Sequence, residues 1–263
     1  MVTAIAIAAI VAFATSTVLY VGDVASETPR PRPLAFGTLV VAVVLSAVLT
    51  TMLGVRDGAP ALLQVGDVFA LLATVLGAVF LAVQRFAAVR VAGALVAPAG
   101  AGLLAAFLLE QARTAPPLSS SQGLLLIHIG LAVLGLAMFG IAAIFAALYL
   151  VQDRMLRERR FGVLFQRLPS LEELDSAQYK LVLGGFLTYS VAVVLGVVWA
   201  FGVAHTGFDL RIILGLVAWA VFAAVIQSRI ATGWGGRQAA WLTVAGCLVG
   251  YGVLGIYAAG GPR

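Results

Sequence analysis

The sequence predicts an all-α membrane protein, and two features of its composition predict this. Of its 263 residues, 62% are hydrophobic and only 10% are charged, and the mean hydropathy is +1.10. Soluble globular proteins carry about 25% charged and about 45–50% apolar residues, so this chain has too few charged side chains to cover a surface in water. Disorder requires the opposite balance. The composition therefore excludes both an ordinary soluble domain and a disordered chain.

Eight stretches are apolar over the about 20 residues that a membrane-spanning helix needs. The first has no basic residue before it, as a cleaved signal peptide would, so we keep it as a span. The fourth contains Pro98, which a membrane helix tolerates when neighbours satisfy the freed carbonyl. We predict one membrane domain over 1–263, with four spans in 1–122 and four in 123–259. The spans are Thr3–Val21, Leu34–Leu53, Leu62–Val83, Val89–Leu109, Gly123–Val151, Leu181–Val203, Ile212–Ile230 and Gln238–Ala258.

The basic residues predict the orientation of this polytopic helix bundle. Twelve of the sixteen basic residues fall in the loops after spans one, three, five and seven. Basic loops stay in the cytoplasm, so both termini are predicted to be extracytoplasmic in a multi-pass protein of the inner (cytoplasmic) membrane. The other four are Arg56, Arg113, Arg211 and Arg263.

Several classes of function are disfavoured by what the sequence lacks. The basic residues are scattered at the ends of apolar runs, so nucleic acid is not an expected partner. Cys247 is the single cysteine, which excludes an internal disulfide and a CxxCH haem-attachment motif. Neither a phosphate-binding loop nor a zinc-protease or serine-hydrolase motif occurs, so we do not expect an enzyme. Asp67, Glu110 and Asp209 fall near span ends rather than at mid-depth, which ranks a transporter last.

The long cytoplasmic loop, about 152–180, begins with the charged run QDRMLRERR. Ser170 and Glu173 have the spacing of a capping box, which predicts a short helix at the membrane surface leading into span six. Two interpretations of the basic run stay open: it faces anionic lipid headgroups, or it binds a partner protein. The residues concerned are Arg154, Arg157, Arg159 and Arg160.

The two histidines are the candidate ligands of a metal-centred cofactor. His128 lies about one turn into span five, and His205 lies in the loop between spans six and seven, so the topology places both at the outer face. Two axial imidazoles would hold a haem iron. On the helical face of His128, Ala132 and Gly135 leave room for a flat ligand or for a close helix. The alternatives are a His128 hydrogen-bonded between helices and a solvated His205.

Several motifs after the fourth span together resemble a known family. A histidine near the start of span five, a basic patch beginning LYLVQDR, the run FQRLPSLEELD, a Gly-Phe entry into span six and a closing Trp-Ala follow in order, and GWGGR stands at Gly233–Arg237. They resemble the cytochrome c assembly protein family, membrane-embedded haem-handling proteins of the CcsA, CcmC and HemX kind. The resemblance covers roughly half to two-thirds of the chain, and HemX-like members, linked to haem biosynthesis and its regulation, are the closer comparison.

This resemblance implies an external haem platform in the loop between spans six and seven. In the family that loop is tryptophan-rich and ends in Trp-Asp, and histidines ligate the iron. The ligand at the head of span five falls on His128, and the Trp-Asp pair falls on Phe208–Asp209. Trp199 is the one tryptophan left near this segment, whose platform is therefore reduced. His205 lies inside it but matches no family ligand.

Two functions follow as hypotheses. In the first, the chain binds or handles haem in cytochrome c biogenesis, with His128 as an axial ligand and His205 as the candidate second ligand. Phe208 would stack on the porphyrin edge, and Arg211 or Arg113 would pair with a propionate. Asp209 would orient the loop or neutralise Arg211. In the second, the chain is a cofactor-free scaffold or regulator of haem biosynthesis. Its cytoplasmic loop would then bind a second assembly subunit or a haem-synthesis enzyme.

Overall fold

The computed structural model describes residues 1–26, 33–55, 65–84, 90–110, 122–202, 210–232 and 235–259, and within these ranges every regular element is a helix. The helices are α1 (Val2–Ala25), α2 (Pro33–Gly54), α3 (Val65–Val83), α4 (Gly93–Glu110), α5 (Gln122–Arg157), α6 (Val163–Arg167), α7 (Leu171–Gly202), α8 (Leu210–Thr232) and α9 (Gly236–Ala259), with one 3-10 turn at Arg90–Ala92 before α4.

All of these helices except α6 are long and apolar enough to cross a membrane, which confirms the predicted eight-span, all-α fold. Pro98 lies inside α4, as expected. The exposed residues of the bundle include large apolar side chains, for example Val18 and Leu248, which are 70% and 71% exposed. In lipid, an apolar outer surface is the stable one, because the surrounding acyl chains are equally apolar.

The helices on either side of the long loop extend further than predicted. α5 continues to Arg157 rather than Val151, and α7 begins at Leu171 rather than Leu181. The expected short helix is thus the first part of α7, continuous with span six. Its start is the predicted capping box: the Glu173 carboxylate accepts from the Ser170 N–H (2.9 Å), and the Ser170 hydroxyl accepts from the Glu173 N–H (3.2 Å). Capping and charged pairs sustain these extensions beyond the apolar stretches.

The spanning helices pack as two rings of four. In the first ring, α1 packs against α2 and α4, and α3 packs against the same two helices. In the second ring, α5 packs against α7 and α9, and α8 packs against the same two helices. Helices α3 and α5 join the rings, and one buried apolar core runs through both. The α5–α7 pair, which carries the predicted ligand His128, makes the most extensive contact between helices.

A contact between the two rings shows that two loops share one face of the bundle. Arg167, at the end of α6, donates hydrogen bonds to the carbonyl oxygens of Asp23 and Ser26 at the end of α1. The segments that follow α1 and α5 therefore lie on the same side. An even number of intervening spans requires this arrangement.

Candidate functional site

His128 lies in the second turn of α5 and is half-buried against α7. Its Nδ1 lies 2.6 Å from the carbonyl oxygen of Ala192. A carbonyl oxygen can only accept a hydrogen bond, so Nδ1 carries the proton and donates. In the neutral ring, Nε2 then holds the lone pair. Metal-binding histidines are commonly oriented in this way, with one ring nitrogen donating to a carbonyl and the other free to ligate.

A glycine on α7 makes room for the imidazole. A Cβ atom added to Gly196 would lie 2.6 Å from Cε1, 2.9 Å from Nδ1 and 3.4 Å from Nε2 of His128. The first two distances are too short for any side chain, so the ring rests against bare backbone. Gly196 follows Ala192 by four residues and lies on the same helical face. One face of α7 thus supplies both the hydrogen-bond acceptor and the space.

The small residues on the helical face of His128 allow α5 and α7 to pack closely. A Cβ atom on Gly135 would lie 2.9 Å from Cβ of Tyr189 and 3.1 Å from the Gly185 carbonyl oxygen. In return, a Cβ on Gly185 would lie 2.9 Å from the Phe139 ring. The sequence left open whether this face makes room for a flat ligand or for a close helix. At Gly135, the space is filled by the closely packed helix α7. Ala132 is partly buried against the same core.

An aromatic layer fills the second ring below this contact. The rings of Phe139 (α5) and Phe222 (α8) stack with centroids 3.4 Å apart, and Phe139 meets Tyr189 edge-on at 6.1 Å. The Tyr251 hydroxyl of α9 donates to the Leu136 carbonyl oxygen at 3.2 Å. Side chains from the other three helices therefore hold α5 in place two to three turns from His128.

Of the remaining predicted haem-site residues, only Trp199 and Arg211 lie on described helices. Trp199 is half-buried on α7, three residues beyond Gly196. Arg211 belongs to the first turn of α8. His205, Phe208, Asp209 and Arg113 lie outside the described residues, so a pairing of His128 with His205 stays a prediction. No group of three or more potential metal ligands occurs in the described ranges.

The predicted partner-loop arginines lie on the exposed turn that ends α5. Arg154 pairs with Glu158 (2.7 Å), Arg157 pairs with Asp153 (3.1 Å), and Arg160 also reaches Glu158 (3.1 Å). The hydrogen bond from Arg154, followed by the charges of Arg154 and Arg160, lowers the pKa of the Glu158 carboxyl. The arginine side chains are 60–78% exposed in these pairs, so they remain accessible to an anionic partner.

A polar cluster that the sequence did not single out joins α7, α8 and α9 at the same end of the bundle. The Arg229 guanidinium forms a two-pronged ion pair with Asp175, whose Oδ1 also accepts from the Gly236 N–H at 3.1 Å. Arg229 lies 4.5 Å above the Tyr179 ring. The available signal was an acidic residue in the predicted loop 152–180 and a basic residue at the end of predicted span seven, but the sequence offers many such pairs.

A buried hydrogen bond between an amide and a hydroxyl lies one turn deeper in this cluster. Gln178, only 1% exposed, donates to the Thr243 hydroxyl at 2.8 Å, and Thr243 donates to the Ala239 carbonyl at 2.9 Å. The Gln178 Oε1 atom has no hydrogen-bond partner in the described part of the chain. A small cavity borders it, lined also by Arg229 and Tyr179. Thr243 lies inside a predicted span, but Gln178 falls in the predicted loop 152–180, so the sequence did not mark the two as a buried pair.

The geometry defines a polytopic membrane protein with one oriented imidazole at the end of its best-packed helix pair. Comparison with known proteins gives the family. The family described as Cytochrome C assembly protein matches residues 2–251, and the chain belongs to that family. This confirms the resemblance seen in the sequence and extends it over the first four spans.

Individual relatives agree with this assignment. The chain is 28% identical to Protein HemX of Brevibacillus brevis over 221 residues, which is 82% of this chain and 81% of that protein. It is 29% identical over 211 residues to the cytochrome c biogenesis protein CcsA of Synechococcus sp. (strain CC9902), covering 67% of this chain and 69% of that one. CcsA of Parasynechococcus marenigrum (strain WH8102) is 36% identical over 99 residues, about a third of either chain. No solved structure gave a significant match.

Proposed function

We propose that this chain is an inner-membrane protein of cytochrome c biogenesis that binds or handles haem at the extracytoplasmic face, with His128 as an axial ligand. The observation that carries the proposal is the hydrogen bond from Nδ1 of His128 to the Ala192 carbonyl oxygen, 2.6 Å long. It leaves Nε2 as the Lewis base, which is the form of imidazole that haem iron takes as an axial ligand. Membership in the cytochrome c assembly family supports the same function.

The residues around His128 fit a cofactor of this kind. The imidazole lies at the end of α5 and is neither fully buried nor fully exposed, so a ligand can reach it from one side. Gly196 and Ala192 hold the ring from the other side. His205 is the proposed second ligand, with Trp199, Phe208, Asp209 and Arg211 forming the remainder of the site. Bound haem would supply the iron that these imidazoles ligate and the porphyrin that the assembly pathway attaches.

The orientation of the bundle is part of this proposal. The arginine-rich turn after α5 lies at the opposite end of that helix from His128. If basic loops are cytoplasmic, His128 and both termini are extracytoplasmic. Reporter fusions test this directly: a fusion at Thr206 should be active as an extracytoplasmic reporter and one at Gly162 as a cytoplasmic reporter. The reverse pattern would place the imidazole on the wrong side for haem delivery.

Haem content of the purified protein tests the ligand assignment. We expect a Soret band and a pyridine haemochrome signal from wild type in detergent, and loss of most of this haem in His128→Ala/His205→Ala. Gly130→Ala is a matched control, because Gly130 lies on the same helix and a Cβ added there meets nothing within 4 Å. Added imidazole should restore the spectrum in His128→Gly. If wild type and the double variant carry equally little haem, the ligand assignment is wrong.

A second candidate function is a cofactor-free scaffold or regulator of haem biosynthesis. It is favoured by the outer segment AFGVAHTGFDLR, which has no tryptophan beyond Trp199. In this case a second assembly subunit or a haem-synthesis enzyme would bind the cytoplasmic loop. Deleting 157–160 should then abolish co-purification of that partner while leaving any haem content unchanged.

A further inference from the structure

The turn between α5 and α7 is an exposed basic surface with a specific shape. We call residues 153–167 the basic turn. It contains five arginines and two acidic residues, which gives a formal charge of +3. Arg154, Arg157 and Arg160 are 78%, 60% and 75% exposed. Intramolecular pairing with Asp153 and Glu158 therefore leaves much of the positive charge at the surface.

The backbone at the centre of the turn favours glycine, but the chain has an arginine there. The N–H of Arg160 donates to the Met155 carbonyl (2.9 Å), and the N–H of Arg159 donates to the Leu156 carbonyl (3.2 Å). These are the two bonds of a Schellman motif, which places Arg159 in the left-handed conformation at a φ of 54°. Non-glycine residues held in such conformations tend to mark functional positions. Arg159 also has no acidic partner among the described residues.

Apolar side chains are interleaved with these arginines. Phe161 is 56% exposed and Val163 is 40% exposed. The Phe161 ring packs edge-on against Phe165, with centroids 5.2 Å apart. Aromatic rings beside basic residues are typical of segments that lie in the membrane interface, where rings enter the acyl boundary and arginines meet phosphate.

A contact to a spanning helix sets the depth of the turn. Arg167 donates to the carbonyl oxygens of Asp23 and Ser26 at the end of α1. This contact fixes α6 where α1 leaves the apolar region. Phe161, six residues before Arg167, therefore belongs to a segment that is tied to the end of a helix long and apolar enough to span the membrane.

We propose that the basic turn binds the phosphates of anionic lipid headgroups, with Arg159 and Arg160 contacting phosphate and Phe161 inserted between headgroups. A formal charge of +3 and an exposed aromatic side chain, in a segment tied to the end of a spanning helix, favour lipid over an acidic protein. This site is distinct from the proposed haem site and does not depend on it. Removing one such charge should weaken binding to an anionic surface about five-fold.

The experiment uses the full-length protein in nanodiscs. Gly162→Cys in a Cys247→Ser background carries an environment-sensitive fluorophore, because a Cβ at Gly162 meets nothing within 4 Å. We expect a blue shift in discs that contain phosphatidylglycerol and none in discs of phosphatidylcholine alone. Inorganic phosphate added to phosphatidylcholine discs should have no effect. A shift produced by phosphate alone, or the same spectrum in both discs, would overturn the proposal.

Variants at Arg159 separate its charge from its backbone conformation. Arg159→Gly keeps the favoured backbone and loses the charge, so it should fold at least as well as wild type and still lose most of the lipid-dependent shift. Arg159→Lys should retain the shift. Arg237→Gln is the control, since Arg237 is an exposed arginine outside the basic turn, at the start of α9. If Arg159→Gly responds to phosphatidylglycerol like wild type, Arg159 is not a lipid contact.

Discussion

Each of the two four-helix rings contains a glycine that lets an aromatic side chain of a neighbouring helix pack closely, but the two aromatic side chains differ. In the first ring, Phe13 of α1 lies against Gly100 of α4, where an added Cβ would be 2.7 Å from the phenyl ring. In the second ring, His128 lies against Gly196, where an added Cβ would be 2.6 Å from the imidazole. Both glycines let an aromatic ring approach the backbone of a neighbouring helix.

What differs is the chemistry of the side chain that the glycine receives. Phe13 is completely buried and has no polar atom, so its contact can contribute only packing. His128 is half-buried, donates to Ala192 and keeps a lone pair on Nε2. In this bundle, a glycine at a helix contact is therefore informative about function only together with the side chain that packs against it.

The largest effect on stability is expected at Phe13. Phe13→Ala removes a fully buried phenyl ring and should lower the free energy of unfolding by about 3–5 kcal/mol, with the haem content per folded molecule unchanged. Unfolding in mixed detergent micelles measures the first quantity and the pyridine haemochrome the second. Val18→Ala, on the same helix but 70% exposed, is the control. A selective loss of haem in folded Phe13→Ala would contradict the conclusion that Phe13 contributes only to packing.

Gly196→Ala should have a smaller effect on stability and a larger one on ligand binding. The added methyl group collides with the His128 ring, and overpacking of this kind costs about 1–3 kcal/mol. Displacing the ring also breaks its hydrogen bond to Ala192, so haem content should fall as in His128→Ala. Gly202→Ala on the same helix has open space for its Cβ and should change neither quantity. Full haem content in Gly196→Ala would show that α7 does not position the ligand.

The fold was more predictable from sequence than the site. Each apolar run was long enough to identify a span, and all eight are helices. The predicted end of α5 and the predicted start of α7 were wrong. The apolar run of α5 ends at Val151, but charged pairs continue the helix to Arg157. The Ser170 cap likewise starts α7 before its apolar run begins. Hydropathy reports where the membrane ends, and capping chemistry decides where the helix ends.

His128 could be named as a candidate from its residue type, but the groups that it contacts could not be predicted. The Ala192 carbonyl is a backbone group, which every residue has, so no sequence signal marks it as an acceptor. Gly196 was visible as a small residue, yet its pairing with the imidazole depends on the register of α7 against α5. That register is set by contacts such as Gly135 with Gly185, which are separated by 50 positions in the chain.

Polar contacts between helices give a third way to compare the rings. Thr243→Val should cost about 1–3 kcal/mol, because it leaves the buried Gln178 amide without its acceptor. Thr50→Val in the first ring should cost only about 0.6 kcal/mol, since Thr74 keeps its bond to the Ala70 carbonyl. Adding Gln178→Leu to Thr243→Val should recover most of the loss. Equal costs for the two threonine variants would remove this difference between the rings.

The smallest effect is expected at the exposed surface of the second ring, where Arg154 pairs with Glu158. Exposed pairs contribute little to stability, so Glu158→Gln should barely change the thermal midpoint at pH 7. The hydrogen bond from Arg154 lowers the pKa of Glu158. The contribution of the pair is therefore complete above the ordinary carboxyl pKa, about 4.3, and is lost as the pH falls through the lowered value. Thermal midpoints of wild type and Glu158→Gln should converge on acidification. If they diverge instead, Glu158 has a partner in the acidic range other than Arg154 and Arg160, and the charge at this turn is not governed by the ion pairs described here.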